Sequence, residues 1–329
     1  MFNMGFIGLE GHYGAILRDL PSRQDARLAA VAAEDENALN RARSQEPADA
    51  DTGFYLDYRE MLEKEKLDVV TVCLTDGERA RVLQDCAQAG VHIISEKPLA
   101  MNMEELSAVR EAVSDSQIRL SILLTMRFSG TYLALRAIVE RGVIGEVIQM
   151  TAQKSYKLGQ RSEWMKHRDT FSGIIPYIGI HAIDLLRWTS GREFVAVSAF
   201  QSNVAHPEIG DMEDNATVVL QMDNGGTASV RLDYLRSPVA PTHGDATMRL
   251  AGSRGIVEVT NDGRDVTLMT VDQPPEPVPI PPSMSFLGDF LDSLKGDSSH
   301  LITMEDAFHV TEICLKARTA AEKQEIVEL

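Results

Sequence analysis

The 329-residue chain has little cysteine and no long apolar run. Its three cysteines, Cys73, Cys86 and Cys314, form no Cys-x-x-Cys pair and no disulfide framework, which excludes zinc fingers and small secreted scaffolds. No apolar run approaches the roughly 20 residues that a membrane-spanning helix needs. The N-terminus has no basic segment ahead of an apolar stretch, so no secretory signal is predicted. A cytoplasmic location is therefore expected.

Positive charge is also scarce. Lys and Arg number 32 against 49 Asp and Glu, which leaves a formal net charge of −17. Nucleic-acid phosphates and anionic membranes repel such a surplus, so neither is an expected partner. The remaining composition is that of a globular protein, with 44% hydrophobic and 25% charged residues. At roughly 100–200 residues per domain, the length predicts two domains.

The first 124 residues alternate short apolar strands with helices. The clearest strand is Leu67–Leu74, which is nearly continuous in β-branched and apolar residues, as in a parallel strand buried on both faces. Other strands are predicted at Phe2–Leu9, Leu28–Ala33, Val91–Ile94 and Leu120–Thr125. Helices are predicted over about Asn37–Gln45, Glu78–Ala89 and Asn102–Val113. This alternation predicts the α/β class, with a Rossmann-type parallel sheet over residues 1–124 as an NAD(P)-binding domain.

Paired strands replace this alternation from residue 125 onward. Ala216–Met222 and Thr227–Leu235 flank Asp223–Gly226, which is a hairpin signal. Pro274–Pro282 can form only an edge strand or a connector, because proline cannot donate a ladder hydrogen bond. An α+β domain with a large, mostly antiparallel open sheet is predicted over 125–329, for substrate binding and oligomerisation. Its last helix, about Met304–Lys323, could pack back on the first domain.

A glycine-rich turn, Gly8–Gly14, follows the first predicted strand. Dinucleotide sites place glycines there because the turn must be tight and the backbone must approach a pyrophosphate at a helix N-terminus. Glu10 stands where the second glycine of G-x-G-x-x-G is expected, so a plain tight turn remains the alternative. The position after a buried strand favours the nucleotide site. The cofactor contacts predicted here are Gly8, Glu10, Gly11, His12, Tyr13 and Gly14.

An acid about 20 residues beyond the last glycine usually holds a ribose hydroxyl of the cofactor. Glu34 is at this distance, at the end of the second predicted strand, with Asp35 beside it. No Arg or Lys follows within five residues, so a 2′-phosphate would meet two carboxylates. NAD is therefore predicted, with NADP disfavoured. A solvated acidic turn is the alternative.

The tripeptide Glu96-Lys97-Pro98 follows the predicted strand Val91–Ile94. With the segment around Thr75 and the later stretch Gly179–Asp184, it makes the chain resemble the glucose–fructose oxidoreductase/inositol dehydrogenase (Gfo/Idh/MocA) family. The resemblance extends over essentially the whole chain. It implies an NAD-dependent oxidoreductase that transfers a hydride between nicotinamide and a sugar, inositol or related polyol. It also implies a homodimer or homotetramer formed through the C-terminal sheet.

The resemblance further implies a set of site residues. Lys97 would lie at the nicotinamide and the substrate, and His181 would be the catalytic histidine. Lys97 also lies at the carboxyl end of a predicted parallel strand, where open α/β sheets bind ligands. The remaining predicted cofactor contacts are Leu74, Thr75, Glu96, Lys97 and Arg127. For Arg127, contact with substrate or nicotinamide and a domain-linking salt bridge are both open interpretations.

An apolar helical stretch carries Tyr177, His181 and Asp184 at positions i, i+4 and i+7, on one face of an α-helix. Pro176 suits the first turn of that helix. Asp184 could bind substrate, or accept structural hydrogen bonds from the backbone or from Arg187. His181 and Asp184 have metal-ligand spacing, but no further ligands of matching placement follow, so no metal is predicted.

The chain departs from the family at Tyr177, where the resemblance implies a catalytic aspartate four residues before the histidine. A phenol can donate a hydrogen bond but carries no charge at neutral pH. Two alternatives therefore stay open, an NAD-retaining glycosidase that acts by transient oxidation and a non-catalytic dinucleotide or sugar sensor. A polar, loop-like stretch before this helix could contact a sugar ring or a carboxylate through Lys154, Tyr156, Trp164, His167 and Arg168.

Overall fold

A computed structural model describes residues 1–44 and 47–329 of the chain. These residues form two units, each built from two segments. The first unit comprises Met1–Thr125 and Ser285–Thr311, and the second comprises Met126–Met284 and Glu312–Leu329. None of the helices in the described part of the chain combines the length and apolar character that crossing a membrane requires.

The first unit contains a parallel sheet, with six strands among the described residues, in the order β3-β2-β1-β4-β5-β6. The strands are β1 (Phe2–Ile7), β2 (Ala26–Ala32), β3 (Gly53–Tyr55), β4 (Val69–Val72), β5 (His92–Ser95) and β6 (Leu120–Ile122). β4 is buried along its whole length, as its continuous apolar run predicts. The strand order reverses between β1 and β4, and open parallel sheets bind ligands beyond the carboxyl ends of their strands at such a point.

The described residues form helices, several of which begin at a capping side chain. In chain order they are α1 (Tyr13–Asp19), α2 (Glu36–Arg43), α3 (Tyr58–Lys64), α4 (Asp76–Gln88), α5 (Met103–Ser116), α6 (Gly130–Glu140), α7 (Ile180–Ser190), α8 (Phe286–Lys295) and α9 (Met304–Lys323). Asn102 caps α5 by accepting a 2.9 Å hydrogen bond from the Glu105 amide, as predicted. Thr303 and Asp306 exchange side-chain-to-amide bonds of 3.0 and 3.1 Å at the start of α9.

The second unit contains a larger sheet, in the order β14-β13-β12-β11-β7-β10-β9-β8-β15 for the described residues. The strands are β7 (Val147–Tyr156), β8 (Phe194–Ser202), β9 (Asn215–Met222), β10 (Thr227–Asp233), β11 (Gly244–Gly252), β12 (Gly255–Thr260), β13 (Asp265–Thr270), β14 (Gln273–Pro277) and β15 (Val327–Glu328). Among the described residues, the strand pairings of this sheet are antiparallel except that of β7 with β10. β9 alternates buried and exposed side chains, and α7 packs on β7 and β10. One sheet face is therefore covered and the other faces outward.

The predicted hairpin between β9 and β10 is confirmed, with Leu220 opposite Ala228. The proline-rich segment contains β14, an edge strand, as its composition predicts. The helix predicted over about Asn37–Gln45 is observed as α2, and Gln45 lies outside the described residues.

The prediction that Lys154 and Tyr156 lie in a loop-like stretch is wrong, because both belong to β7. β7 carries polar residues such as Thr151 and Gln153 on its more exposed face, so its composition is similar to that of a loop. Lys154 itself is only 4% exposed. A half-exposed strand with a lysine on its buried face has no clear apolar pattern, which explains the error.

Candidate active site

The glycine turn between β1 and α1 needs glycine at two positions. Gly8 and Gly11 adopt φ angles of +75° and +67°, in the left-handed region that other residues avoid. A Cβ at Gly8 would lie 2.6 Å from the Leu74 side chain, and one at Gly11 would lie 2.7 Å from the Glu96 carboxyl carbon. Gly14 has an ordinary φ, and its Cβ would meet only the Arg18 guanidinium, at 3.2 Å. Close approach therefore requires the first two glycines and not the third.

Glu96 joins the glycine turn to the Glu96-Lys97-Pro98 segment. Its carboxylate accepts hydrogen bonds from the His12 amide, from His12 Nδ1 at 2.5 Å and from the Lys97 amide at 2.9 Å. Burial alone would raise the pKa of this carboxyl. The hydrogen bond from His12 and the positive charges of His12, Lys97 and Arg79 instead hold the pKa well below its usual range. Glu96 is thus an ionised anchor, and the His12 amide points to it.

Lys97 lies two residues beyond the end of β5 and is 4% exposed. Burial lowers the pKa of its ammonium group, the negative charges of Glu96 and Asp76 oppose that shift, and Arg79 adds to it. The Lys97–Pro98 peptide bond is cis. A lysine in this setting can exchange a proton closer to neutral pH than a solvated lysine can.

Two further charged residues complete the setting of Lys97. Arg79 donates 2.6 Å hydrogen bonds to the carbonyls of Pro98 and Leu74, and it lies 3.1 Å from the Asp76 carboxylate. Asp76, Arg79, Glu96 and Lys97 are each at most 4% exposed, and we term them the charge cluster. The sequence reasoning did not single out Arg79. The available signal was an arginine three residues after Asp76 in the first turn of α4, a helix whose other buried residues are apolar.

A cavity of about 310 Å³ lies beyond the carboxyl ends of β1, β2 and β4. Three predicted cofactor residues, Gly8, Glu34 and Leu74, line it. Arg59 and Arg81 line it as well. The sequence analysis did not place them near Glu34, because they lie far from it along the chain. The cavity size is typical of small-ligand sites, and a carboxylate at the end of β2 can accept hydrogen bonds from ribose hydroxyls. These residues and the two tight glycines fit an adenine dinucleotide.

The other residues at or near the predicted cofactor site, among them Glu10, Asp35 and Thr75, differ in their contacts. Burial and the negative charge of Glu34 raise the pKa of the Glu10 carboxyl, while Arg41 opposes them. Asp35 caps α2 through a 2.7 Å bond from the Ala38 amide, so it has a structural role beside Glu34. Tyr13 begins α1. Thr75 precedes α4 and donates a 2.8 Å hydrogen bond to the Glu78 carboxylate.

The helix that carries Tyr177, His181 and Asp184 lies in the second unit and is irregular at its start. A π-helical turn spans Ile175–Gly179, and α7 follows it. Tyr177 therefore lies in a π-helical turn, in which bonding relates residues five apart, and not in the regular α-helix that the sequence predicts. Pro176 does lie in the first turn, as predicted, and it lacks an N–H donor there. Such turns occur frequently at functional sites.

Glu213 holds the beginning of this helix. Its carboxylate accepts a 3.1 Å hydrogen bond from the Ile174 amide and pairs with the Arg168 guanidinium. Glu213 is 4% exposed, so the pair with Arg168 compensates a nearly buried charge. The sequence analysis did not identify this residue. An acid just before the apolar strand β9 was the available signal.

Asp184 accepts hydrogen bonds from Arg127, with Arg127 Nε 2.9 Å from Asp184 Oδ2. Both side chains are at most 1% exposed, and both residues lie in the second unit. Arg187, which the sequence offered as one possible partner of Asp184, binds Glu193 at 2.7 Å. A contact between Arg187 and Asp184 stays a prediction. The pair between Asp184 and Arg127 lies within one unit and is not domain-linking.

His181 is 7% exposed and lies in the first turn of α7. Aromatic rings surround the preceding π-helical turn. The Tyr177 ring contacts the rings of Trp164 and Phe171 edge-on, with centroids 6.0 and 5.2 Å away. No three His, Cys, Asp or Glu side chains of residues 1–44 and 47–329 converge as ligands for a metal ion would. The absence of a metal stays a prediction.

Comparison with known proteins agrees with this arrangement. Residues 2–123 match the oxidoreductase family with an NAD-binding Rossmann fold, and residues 132–258 match the GFO/IDH/MocA C-terminal domain. A solved structure of a Thermotoga maritima protein, assigned only as an oxidoreductase, has a TM-score of 0.93 and 32% identity. That match covers 99% of this chain and 100% of the other.

Two relatives carry more specific names. An inositol 2-dehydrogenase of Rhizobium meliloti is 29% identical over 198 residues, which are 59% of this chain and 58% of the relative. A myo-inositol 2-dehydrogenase of Thermotoga maritima is 27% identical over 275 residues, which are 82% of this chain and 78% of the relative. The match thus spans somewhat less than two thirds of the Rhizobium protein. The chain belongs to the Gfo/Idh/MocA family of oxidoreductases and contains its NAD-binding Rossmann domain.

Proposed function

We propose that the chain is an NAD-dependent oxidoreductase that transfers a hydride between nicotinamide and a sugar, inositol or related polyol. The observation that carries the proposal is Glu96, which joins the tight glycine turn to Lys97 at the carboxyl end of the parallel sheet. Gly8, Gly11 and Glu34 would hold the cofactor. NAD, when bound, supplies the hydride acceptor. The names of the two inositol dehydrogenases support a polyol substrate.

A side chain of the protein has to accept one proton from the substrate hydroxyl. When a secondary alcohol is oxidised, its C–H leaves as a hydride and its O–H as a proton, which yields a ketone, NADH and H⁺. Lys97 or His181 takes this proton. The lowered pKa of buried Lys97 supports that role, and the family resemblance supports His181. Tyr177 donates a hydrogen bond to the substrate, and Asp184 positions the helix through Arg127.

The two predicted domains would have different roles in this reaction. Residues 1–124 would bind the cofactor, and residues 125–329 would bind the substrate and form the oligomer. The outward face of the larger sheet exposes Phe200 and Val219, at 67% and 48%. A homodimer or homotetramer through this face would cover them. Val219→Lys should then lower the mass measured by light scattering, whereas an unchanged mass would contradict this interface.

Two alternatives receive less support. An NAD-retaining glycosidase would release a sugar without net NADH formation, and a sensor would bind the cofactor without turnover. The relatives reported above are named as dehydrogenases or oxidoreductases, which favours net hydride transfer. A cytoplasmic location likewise stays a proposal from the sequence.

Calorimetric titration with NADH and, separately, NADPH tests the cofactor part of the proposal. We expect tighter binding of NADH. NADH absorbance is then followed with a panel of cyclic polyols and aldoses, for the wild type, Lys97→Ala and the exposed control Lys66→Ala. NADH formation that is lost only in Lys97→Ala supports the proposal. No turnover across the panel, together with unchanged ligand binding in Lys97→Ala, contradicts it.

A further inference from the structure

Several aromatic and basic side chains in the described part of the second unit carry buried polar atoms without a hydrogen-bond partner, and three of these side chains lie close to Tyr177 or to one another. The atoms of these three are Arg161 Nε, Trp164 Nε1 and the Tyr234 hydroxyl, and no described residue bonds to them. We term Arg161, Trp164 and Tyr234 the donor cluster. A buried polar atom in a native fold normally has a partner, so each exception requires an explanation.

The donor cluster is contiguous with the helix that carries His181. The Arg161 guanidinium lies over the Tyr234 ring, 4.0 Å from its centroid. Burial raises the pKa of the Tyr234 phenol well above its usual range, the charge of Arg161 opposes this shift, and the nearby Tyr177 phenol adds to it. The Trp164 and Tyr177 rings are in edge contact. The Trp164 and Tyr234 side chains therefore lie near Tyr177, which is four residues before His181.

The chemistry of the donor cluster restricts what can satisfy it. A guanidinium and an indole N–H only donate hydrogen bonds, so their partner has to present acceptors. Arg161 donates one 3.2 Å bond to the Lys157 carbonyl, and no carboxylate of the described residues pairs with it. Arg168, in the same stretch of chain, is by contrast neutralised by Glu213. One positive charge is thus left without compensation.

The residue at position 177 also supplies no negative charge that could compensate Arg161. The family resemblance implies an aspartate there, which would have offered a negative charge close to Tyr234. Tyr177 is neutral at ordinary pH and supplies none. A carboxylate matches a guanidinium in both charge and planar geometry.

We propose that the substrate of this site is a sugar acid, a polyol that carries a carboxylate, with Arg161 binding the carboxylate and Trp164 and Tyr234 bonding its oxygens. The inference rests on the proposed function, since it names the substrate class of that same reaction. The chemical step is unchanged: one secondary hydroxyl of the sugar acid gives up a hydride to NAD⁺ and a proton to the protein. The carboxylate takes no part in bond making.

Matched ligand pairs test the inference on the NAD-loaded protein. Calorimetry compares D-glucuronate with D-glucose and D-galacturonate with D-galactose, which differ only in a carboxylate against a hydroxymethyl group. We expect the acid of at least one pair to bind roughly 10–100-fold more tightly, as a charged hydrogen bond allows. Arg161→Gln should remove this difference, and Arg161→Lys should restore part of it. Tyr234→Phe, which loses only the hydroxyl, should weaken acid binding a few-fold.

Arg254→Gln is the matched control, because it removes one exposed positive charge from the same unit. It should leave both ligands unaffected, and the thermal midpoint of each variant reports folding. Equal binding of acid and neutral sugar in both pairs, or a preference that survives Arg161→Gln, overturns the inference. If the wild type oxidises a neutral polyol as efficiently as the matching sugar acid, the inference fails and the oxidoreductase function stands. If acids bind through Arg161 but no NADH forms, the ligand class stands and the proposed function fails.

Discussion

The charge cluster of the first unit and the donor cluster of the second unit differ in how their buried polar groups are paired. In the charge cluster, Glu96 binds His12 and the Lys97 amide, while Arg79 binds Asp76 and two carbonyls. In the donor cluster, Arg161 and Tyr234 stack on each other and leave polar atoms unpartnered among the described residues. The first arrangement pairs its charges within the protein, with Arg79 3.1 Å from the Asp76 carboxylate, although Arg79 Nε has no hydrogen-bond partner among the described residues. The second requires acceptors from outside the protein.

This difference indicates which features are general and which are specific to this chain. A cofactor is the same molecule in every turnover, so a preorganised and internally neutralised pocket suits it. A substrate has to be distinguished from similar molecules, and unmet donors discriminate strongly because the wrong ligand leaves them unpaired. We therefore expect substitutions in the charge cluster to affect chemistry and stability, and substitutions in the donor cluster to affect ligand choice.

The largest effect is expected for Lys97. Lys97→Ala should lower the turnover number by roughly 100–10,000-fold, the range of a lost general acid or base, with NADH affinity changed far less. Lys97→Arg keeps the charge but should not rescue turnover, because a guanidinium does not release its proton at neutral pH. Steady-state kinetics with NADH titrations measure both. Recovery of full turnover in Lys97→Arg would remove the proton-transfer role.

The largest effect on the free energy of unfolding is expected for the buried ion pair between Arg127 and Asp184 in the second unit. Arg127→Met removes the arginine that pairs with the buried Asp184 carboxylate, which should lower the free energy of unfolding by about 3–5 kcal/mol. Arg187→Ala, in the same helix as Asp184, breaks the more exposed pair with Glu193 and should cost at most about 1 kcal/mol. Urea denaturation compares the two variants. Equal costs would mean that burial does not distinguish these pairs.

Glu96 should make the free energy of unfolding depend on pH in the acidic range. Its pKa in the folded protein lies below the ordinary value of 4.5, so its ionised form stabilises the fold above pH 4.5, and that contribution is lost as the pH falls through the lower folded value. Glu96→Gln should therefore be less stable than the wild type at neutral pH, by roughly 1–3 kcal/mol. The difference should shrink below pH 4.5. Denaturation curves at several pH values would show a pH-independent difference if Glu96 were not ionised.

The smallest effect concerns Glu10. Its carboxylate adds negative charge to the glycine turn, where a pyrophosphate is expected, so Glu10→Gln should tighten NADH binding by roughly 2–5-fold. Because burial and Glu34 raise the pKa of Glu10, the wild type should approach the affinity of the variant as the pH falls. Titrations at high and low pH measure this convergence. Weaker binding of Glu10→Gln would mean that the carboxylate assists the cofactor.

The sequence predicted those features whose cause is local. β4 followed from a continuous apolar run, and the β9–β10 hairpin followed from turn chemistry at Asp223–Gly226. Gly8 and Gly11 could be identified because backbone approach leaves no room for a side chain. Lys97 was located by its position after a parallel strand and by the family resemblance.

Features that depend on distant contacts could not be predicted. Glu96 and His12 are 84 residues apart, and Arg127 and Asp184 are 57 apart, so no spacing rule relates them. β7 was missed because the outer face of a half-exposed strand is polar. The π-helical turn was missed because a single irregular turn leaves the apolar pattern of a buried helix unchanged.

That π-helical turn also makes the chain sensitive to a change of one residue. Each residue advances an α-helix by about 100° around its axis, and a π-helical turn contains about one residue more than the α-helical turn it replaces. Deleting one residue within Ile175–Gly179 would convert the segment to a regular α-helix and rotate the chain before it, while α7 kept its place. The loss of a single codon would thus reorient position 177 without moving His181 or Asp184.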